Sequence, residues 1–251
     1  MKKLIIVVLL SLPGFSLASE HVKLDKANID PTNKASLQRG FKYFVNYCMG
    51  CHGLAYSRYN RVAKDLGIPK DLMLENAVFT RDEKGEKTKI GSNIKIAMPT
   101  LYAKQAFGNP PPDLSLIGRS RGADWLYSYL RGFYLDDSRP FGVNNTVFPD
   151  VGMPHVLWEL QGYAAKSGGH EGEGEHGEAK HGESEMKIVV PGSMTPAEYD
   201  RAVRDLVNFL EYEGEPAKQT RLSLGLPVLL WTLLFTIVAY FMKKEFWKDV
   251  H

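Results

Sequence analysis

Cys48-Met49-Gly50-Cys51-His52 holds the only two cysteines of the 251-residue chain, and its reading decides the fold. Two cysteines three apart with histidine directly after them form the attachment signature for c-type haem. On a helical turn the two thiols reach the two vinyl groups of one porphyrin and form thioethers. The next residue, His52, is then held beneath the ring, where its imidazole ligates iron. Upstream, Leu37, Phe41, Phe44, Val45 and Cys48 recur at helical spacing behind a candidate N-cap at Asn33, so a helix leads into the motif. A thioredoxin-like dithiol would need a strand running into a helix. A zinc site would need further ligands, and there is no second cysteine pair. One covalently bound haem c at Cys48 and Cys51, with His52 on the iron, is the expectation.

The two ends of the chain place that motif in a compartment. Lys2 and Lys3, an apolar run over 4–12 and the small residues Ser16 and Ala18 read as a signal peptide over 1–18, too short to span a bilayer. Residues 222–242 contain no charge and are long enough to span, so 218–251 reads as a transmembrane anchor. Lys218 and Arg221 precede the span and Lys243, Lys244 and Lys248 follow it, a weak positive-inside bias. The leader carries more weight. It sends 19–217 across a bacterial inner membrane, leaving a single-pass protein with its haem domain in the periplasm and a short cytoplasmic C-terminal tail. Haem attachment takes place outside the cytoplasm, so the two signals agree. A formal net charge of +2 supplies no strong basic field, which argues against nucleic acid as a partner and leaves membrane lipid as one.

Between these ends the pattern is helical at both extremes and loose in the middle. A helix is expected over 55–66, with Tyr59, Val62 and Leu66 on one side and Gly67 as its stop. Residues 69–112 read mostly as loop with short elements, 123–131 as a short helix displaying Trp125 and Tyr129, and 132–154 as irregular. The clearest helix comes last. Thr195-Pro196-Ala197-Glu198 is a capping box with proline at the first helical position, and Tyr199, Val203, Leu206 and Leu210 follow at helical spacing until Gly214. Residues 166–185 are nearly all Gly, His, Glu, Ala and Ser and cannot offset their ordering entropy, so they read as a mobile acidic loop. Its histidines (His170, His176 and His181) read as solvated rather than as a metal site, and its six glutamates would suit a basic partner. The fold expected is mainly α: a cytochrome c-like haem domain with long loops, plus a single C-terminal transmembrane helix.

The sixth iron ligand separates an electron carrier from a ligand-binding site, because a methionine thioether closes the coordination shell and raises the potential. Met73, Met98, Met153, Met186 and Met194 follow the motif. Met98 and Met153 both precede proline, which stiffens a ligand loop, and only Met153 follows a glycine, Gly152, which lets backbone approach the ring. That favours Met153 and leaves the others open. His155 reads as a solvated loop histidine. Haem propionates need cationic partners. Arg119 and Arg121 follow the stiff Pro110-Pro111-Pro112-Asp113-Leu114 segment, and by themselves read as surface arginines.

Together these motifs resemble the cytochrome c1 family, the haem subunits of ubiquinol–cytochrome c oxidoreductase. The resemblance rests on the haem motif, on Pro111-Pro112-Asp113-Leu114-Ser115 with Arg119 and Arg121, and on Arg121-Gly122-Ala123-Asp124-Trp125. It continues through Phe148-Pro149-Asp150-Val151-Gly152-Met153-Pro154-His155 and the final helix with its anchor. It implies thioethers at Cys48 and Cys51, His52 and Met153 as axial ligands, and Arg119 as a propionate partner. It also implies electrons arriving from a Rieske iron–sulfur subunit and leaving to a cytochrome c, with the anchor beside a cytochrome b subunit. No substrate chemistry is then expected at the iron itself, and the chain is an enzyme only as part of that complex. The acidic loop departs from the family's shared pattern, and the chain lacks the second cysteine pair that some relatives use as a disulfide. The alternatives are an anchored cytochrome of another oxidase or dehydrogenase, a haem-based sensor, and a non-haem anchoring protein.

Overall fold

The computed structural model describes residues 22–82, 84–166 and 186–248. The signal peptide expected over 1–18, and all of the acidic loop except Lys166, lie outside the described residues. The fold is mainly helical, with three two-stranded antiparallel pairs among the described residues. Helix α1 (Lys34–Tyr43) starts where Asn33 Oδ1 accepts from the Ser36 amide at 3.1 Å. It widens into a π-helical turn over Phe44–Cys48, closed by the Met49 amide on the Phe44 carbonyl at 2.9 Å. Single π turns of this kind recur at functional sites, and this one ends on the first cysteine of the motif.

The far end of the domain packs directly on α1. After α2 (Tyr59–Leu66), α3 (Lys70–Asn76), α4 (Thr100–Phe107), α5 (Ile117–Arg121), α6 (Ala123–Arg131) and α7 (Trp158–Gln161), the long helix α8 spans Pro196–Gly214. Its capping box forms as the sequence implies: Thr195 N–H donates to Glu198 Oε2 at 2.9 Å while Thr195 Oγ1 accepts from the Glu198 amide at 3.4 Å. A Cβ placed on Gly40 of α1 would collide with the Asp205 carbonyl oxygen. The two helix backbones therefore touch at that point. Phe41 and Phe44 lie 5.3 and 5.7 Å from Phe209, and Val203, Leu206 and Val207 complete the seam. Asp205 is buried and satisfied there. It accepts from Ser36 Oγ at 2.6 Å and from Arg39 through Nε at 2.5 Å and Nη2 at 3.0 Å.

Two segments differ from their sequence reading. The helix expected over 55–66 begins only at Tyr59, because Leu54–Arg58 is a strand, β1, paired with β2 (Asn93–Ile94). The amides of Ala55 and Tyr56 are taken by Asp113 Oδ2 (2.7 Å) and Ser115 Oγ (3.1 Å), a tertiary demand that local periodicity does not carry. The stretch 132–154 is not irregular throughout. Phe133–Leu135 (β3) pairs with Val143–Asn145 (β4), strands too short to show alternation. A third pair, Gly162–Lys166 (β5) with Met186–Pro191 (β6), brackets the acidic segment, and Lys166 ends β5 with its ammonium 4.0 Å over the Tyr134 ring.

Helix α9, Lys218–Phe246, contains 27 residues (Thr220–Phe246) long and apolar enough to cross a membrane. At about 1.5 Å per residue this exceeds the roughly 30 Å hydrocarbon layer. None of its most apolar window is buried in the protein. Thr232 and Thr236 turn their hydroxyls back onto the Val228 and Thr232 carbonyls, both at 2.8 Å, so the span brings its own partners for these polar side chains.

The contact at Gly40 yields a direct test. Gly40→Ala must spread α1 from α8 and is expected to destabilise the domain by about 3 kcal/mol. Gly91→Ala, which meets nothing within 4 Å, should stay within about 0.5 kcal/mol of wild type. Urea unfolding of the detergent-solubilised chain followed by circular dichroism measures both.

Candidate haem pocket

The motif folds as a tight turn in which the Cys51 and His52 amides both donate to the Cys48 carbonyl, at 3.0 and 2.8 Å. The turn puts both thiols and the imidazole on the wall of one cavity of about 340 Å³. The thiols are free and not joined to each other. Burial pushes the Cys48 thiol up to about 12, the opposite of the depressed value that a reactive dithiol or thiolate metal ligand requires. Among the described residues no cluster of His, Cys, Asp or Glu could hold a metal ion.

His52 is oriented by backbone. Its Nδ1 lies 2.7 Å from the Pro112 carbonyl oxygen, so Nδ1 carries the proton and donates, leaving the Nε2 lone pair free. Burial lowers the His52 pKa, which favours the neutral ring. The polyproline segment that supplies this carbonyl is itself pinned to the strand after the motif. Asp113 accepts from the Ala55 amide at 2.7 Å and the Ser115 amide at 2.9 Å, and the Leu114 amide donates to the Gly53 carbonyl at 2.9 Å.

Of the methionines weighed from sequence, Met153 is the one lining this cavity. Met73 is the buried residue of α3 in the main core, Met194 packs against that core from the turn before α8, and Met186 sits on β6. Met98 does not line the cavity. The loop that delivers Met153 is built from side-chain hydrogen bonds. Asn145 Oδ1 accepts from the Val147 and Phe148 amides (2.9 and 3.1 Å), and Asn144 Oδ1 accepts from the Asp150 amide at 2.9 Å. Arg139 grips Asp150 through its carboxylate and its carbonyl (2.8 and 2.9 Å). Tyr129 Oη donates to Met153 Sδ at 3.3 Å. Burial pushes its phenol pKa up, so the donor stays protonated.

These residues fit a porphyrin. The remaining wall is mostly apolar, from Phe107, four prolines, Phe148, Val151 and Val156, with Asn109 as a polar member, and the donors are a neutral imidazole and a thioether. Arg119 does not line the cavity. It is exposed on α5, with its stem packed on Gly214. Arg121 comes nearer, its guanidinium 4.9 Å from the Trp125 ring centroid and 5.8 Å from that of the cavity-lining Phe148. His155 is not the solvated residue the sequence suggests. It is 5% exposed, stacked on Phe133 at 4.9 Å, and burial lowers its pKa to about 4. The cause is the β3–β4 pair, whose Phe133 provides the stacking face. Tyr129, Arg139, Asn144 and Asn145 build the site without standing out as site residues in the sequence. The paired asparagines just before the Phe148–His155 stretch are the one available signal.

A model of the Cytochrome C1 family matches residues 26–164 and 190–250. Cytochrome c1 of Allochromatium vinosum is 50% identical to this chain, with 100% of each covered. The ammonia monooxygenase gamma subunit of Nitrosomonas europaea is 44% identical, covering 100% of this chain and 99% of that one. Cytochrome c1 of Rhodospirillum rubrum is 29% identical over 87% of this chain and 83% of its own.

Asp113 is the pin of the His52 wall. Asp113→Ala is expected to speed hydrogen exchange at the Ala55 and Ser115 amides about tenfold, equivalent to about 1.4 kcal/mol. Exchange in the α1–α8 seam should be unaffected, and residue-resolved hydrogen-exchange mass spectrometry reads both.

Proposed function

The chain belongs to the cytochrome c1 family, and from that premise we propose that it holds one haem c in the Cys48–His52 cavity and works as the electron-transfer subunit of a quinol–cytochrome c oxidoreductase. The observation that carries the reading is the convergence of Cys48, Cys51, His52 and Met153 on one apolar cavity. Bound there, the haem supplies a one-electron redox centre. The Cys48 and Cys51 thiols would hold it as thioethers. His52 presents a neutral Nε2, kept in that tautomer by the Pro112 carbonyl, and would hold the iron through it. Met153 would hold it through Sδ, the atom to which Tyr129 Oη donates and from which it draws density. The prolines, Phe107, Phe148 and Val151 exclude water. With two donors of its own at hand for the iron, the chain would move electrons and leave bond-making to other subunits.

For the propionates we keep Arg119, exposed a few residues beyond the proline wall, as the proposed partner. We further propose the 1–18 leader, a periplasmic domain over 19–217 and the 218–251 anchor, in a bacterial inner membrane. The proposed neighbours are a cytochrome b and a Rieske subunit, with a cytochrome c as acceptor. The 44% identity to an ammonia monooxygenase gamma subunit favours one second reading, an electron carrier within an oxygenase assembly. The two share the same haem chemistry and differ only in partners. Gentle purification from native membranes is expected to bring down a b-type cytochrome and an iron–sulfur protein. Recovery of oxygenase subunits in their place would decide for the second reading.

Two substitutions test the ligand set. Met153→Ala is expected to let the reduced protein bind carbon monoxide, which wild type does not, as seen in difference spectra. Tyr129→Phe should leave the iron six-coordinate and lower its reduction potential, because the thioether then donates more strongly to the oxidised state. Spectroelectrochemical titration reads that shift.

A further inference from the structure

We propose that Glu213 is a buried proton site linked to the redox state of the haem, releasing a proton when the iron gives up its electron and recovering one on reduction. The inference rests on the electron-carrier reading above. The step balances as a ferrous iron and a carboxylic acid becoming a ferric iron and a carboxylate. The electron passes to the one-electron acceptor protein and the proton to water.

Glu213 lies in the last turn of α8, 3% exposed, and no part of the haem cavity uses it. Ser57 Oγ donates to its Oε2, and its Oε1 has no partner among the described residues. No cation among the described residues pairs with it directly. A carboxylate buried in this way is costly, and the carbonyl end of a helix disfavours negative charge further. The neutral acid is therefore the resting form that the site favours. Burial moves the group up to about 7, with Ser57 and Arg61 pulling down and Asp65 and Asp113 pushing up. That value leaves both protonation states accessible near neutral pH.

The surroundings define what the site senses. From α2, Arg61 and Asp65 face it as a pair joined at 2.5 Å, and Tyr212 of α8 donates to Asp65 at 2.8 Å. From α5, the stem of Arg119 packs on the adjoining Gly214, and its charge acts through space on Glu215. On α1, the nearest charged pair is Arg39 with Asp205, eight residues or about two turns earlier along α8. Two further influences lead toward the haem site, the Ser57 hydrogen bond and the through-space field of Asp113. Ser57 belongs to β1, which starts two residues after His52, and Asp113 follows Pro112, whose carbonyl holds His52 Nδ1. Glu213 thus touches, through Ser57, the strand that follows His52, and Asp113 beside Pro112 acts on it through space. A positive charge appearing on the iron favours the carboxylate and lowers its proton affinity. Proton release on oxidation makes the oxidised state easier to reach as pH rises, so the reduction potential falls through the window between the two proton affinities.

The test is a spectroelectrochemical titration of the full, haem-loaded chain in detergent, over about pH 5 to 9. Wild type is expected to show a falling potential around neutrality. A tenfold difference in proton affinity between redox states corresponds to a total fall of about 59 mV. Glu213→Gln should flatten that window, and the carboxylic C=O signal of the wild-type redox-difference infrared spectrum should vanish with it. Ser57→Ala, which keeps the carboxyl and removes the hydrogen bond that pulls its proton affinity down, should move the window to higher pH. A flat wild-type profile, an unchanged slope in Glu213→Gln, or an unmoved window in Ser57→Ala would each overturn the proposal. A protein with no attached haem or no reversible couple would instead overturn the electron-carrier reading, so the two failures are distinguishable.

Discussion

Contact between the backbones of α1 and α8, made possible by a bare glycine against the Asp205 carbonyl, is the constraint on which the rest of the domain is hung. The seam joins residues as far apart in sequence as Ser36 and Asp205, so it encloses nearly the whole domain in one loop. Helices that approach this closely interlock over a short seam and fix each other's rotation. Because α1 runs through the π turn into Cys48, that rotation also sets where both thiols and His52 point. Asp205 reinforces the choice from within the seam. Its hydrogen bonds to Ser36 and Arg39 are satisfied only in one register, a use of a buried charge for specificity more than for strength.

Between the two helices there is little continuous core on the cavity side. The chain holds its shape there by giving backbone groups to side chains. Asp113 takes two amides, Asn145 takes two more, and Asn144 takes that of Asp150, next to the residues that form the pocket wall. Each such bond contributes about 1 kcal/mol, so the loops are ordered by many small terms. Cysteine cross-links play no part, since the chain has two cysteines and both thiols are free. This explains how a family fold without a second cysteine pair keeps its long loops in place. A porphyrin filling the cavity would add the apolar contacts that these loops lack among themselves.

Whatever depends on local chemistry is plain in the sequence. The Asn33 cap, the Thr195–Glu198 capping box, Gly67 as a left-handed helix stop and the uncharged span before Lys243 all appear where residue types demand them. The Cys48–His52 motif is legible for the same reason, since its spacing is its chemistry. What stays hidden is what depends on partners far along the chain. Ala55 and Tyr56 look helical until Asp113 and Ser115 claim their amides, and β3 and β4 are three residues each, too short for a period to emerge. His155 looks solvated in sequence because its environment is Phe133, far back along the chain and stacked on it through a hairpin that periodicity does not reveal. The resemblance to a known family picks out Arg119 by its motif, yet its stem packs on Gly214 at the end of α8, away from the cavity wall.

The end of α8 is where the buried acid and the anchor meet. Glu215-Pro216-Ala217 is all that separates α8 from α9. The ion pairs around this joint, Lys218 with Glu211 and Arg221 with Glu215, are solvent-accessible and therefore weak holders of geometry. Shortness and a proline do the restraining instead: a three-residue link spans at most about 10 Å, and Pro216 fixes one of its few free torsions. The haem domain is thereby kept close to the start of the apolar span without being locked to it. Glu213 lies one residue before the end of α8, so a change in its charge falls where that helix hands over to the joint. A proton site placed there is joined through Ser57 to the strand that follows His52, and lies four residues before Ala217, where the link to α9 ends.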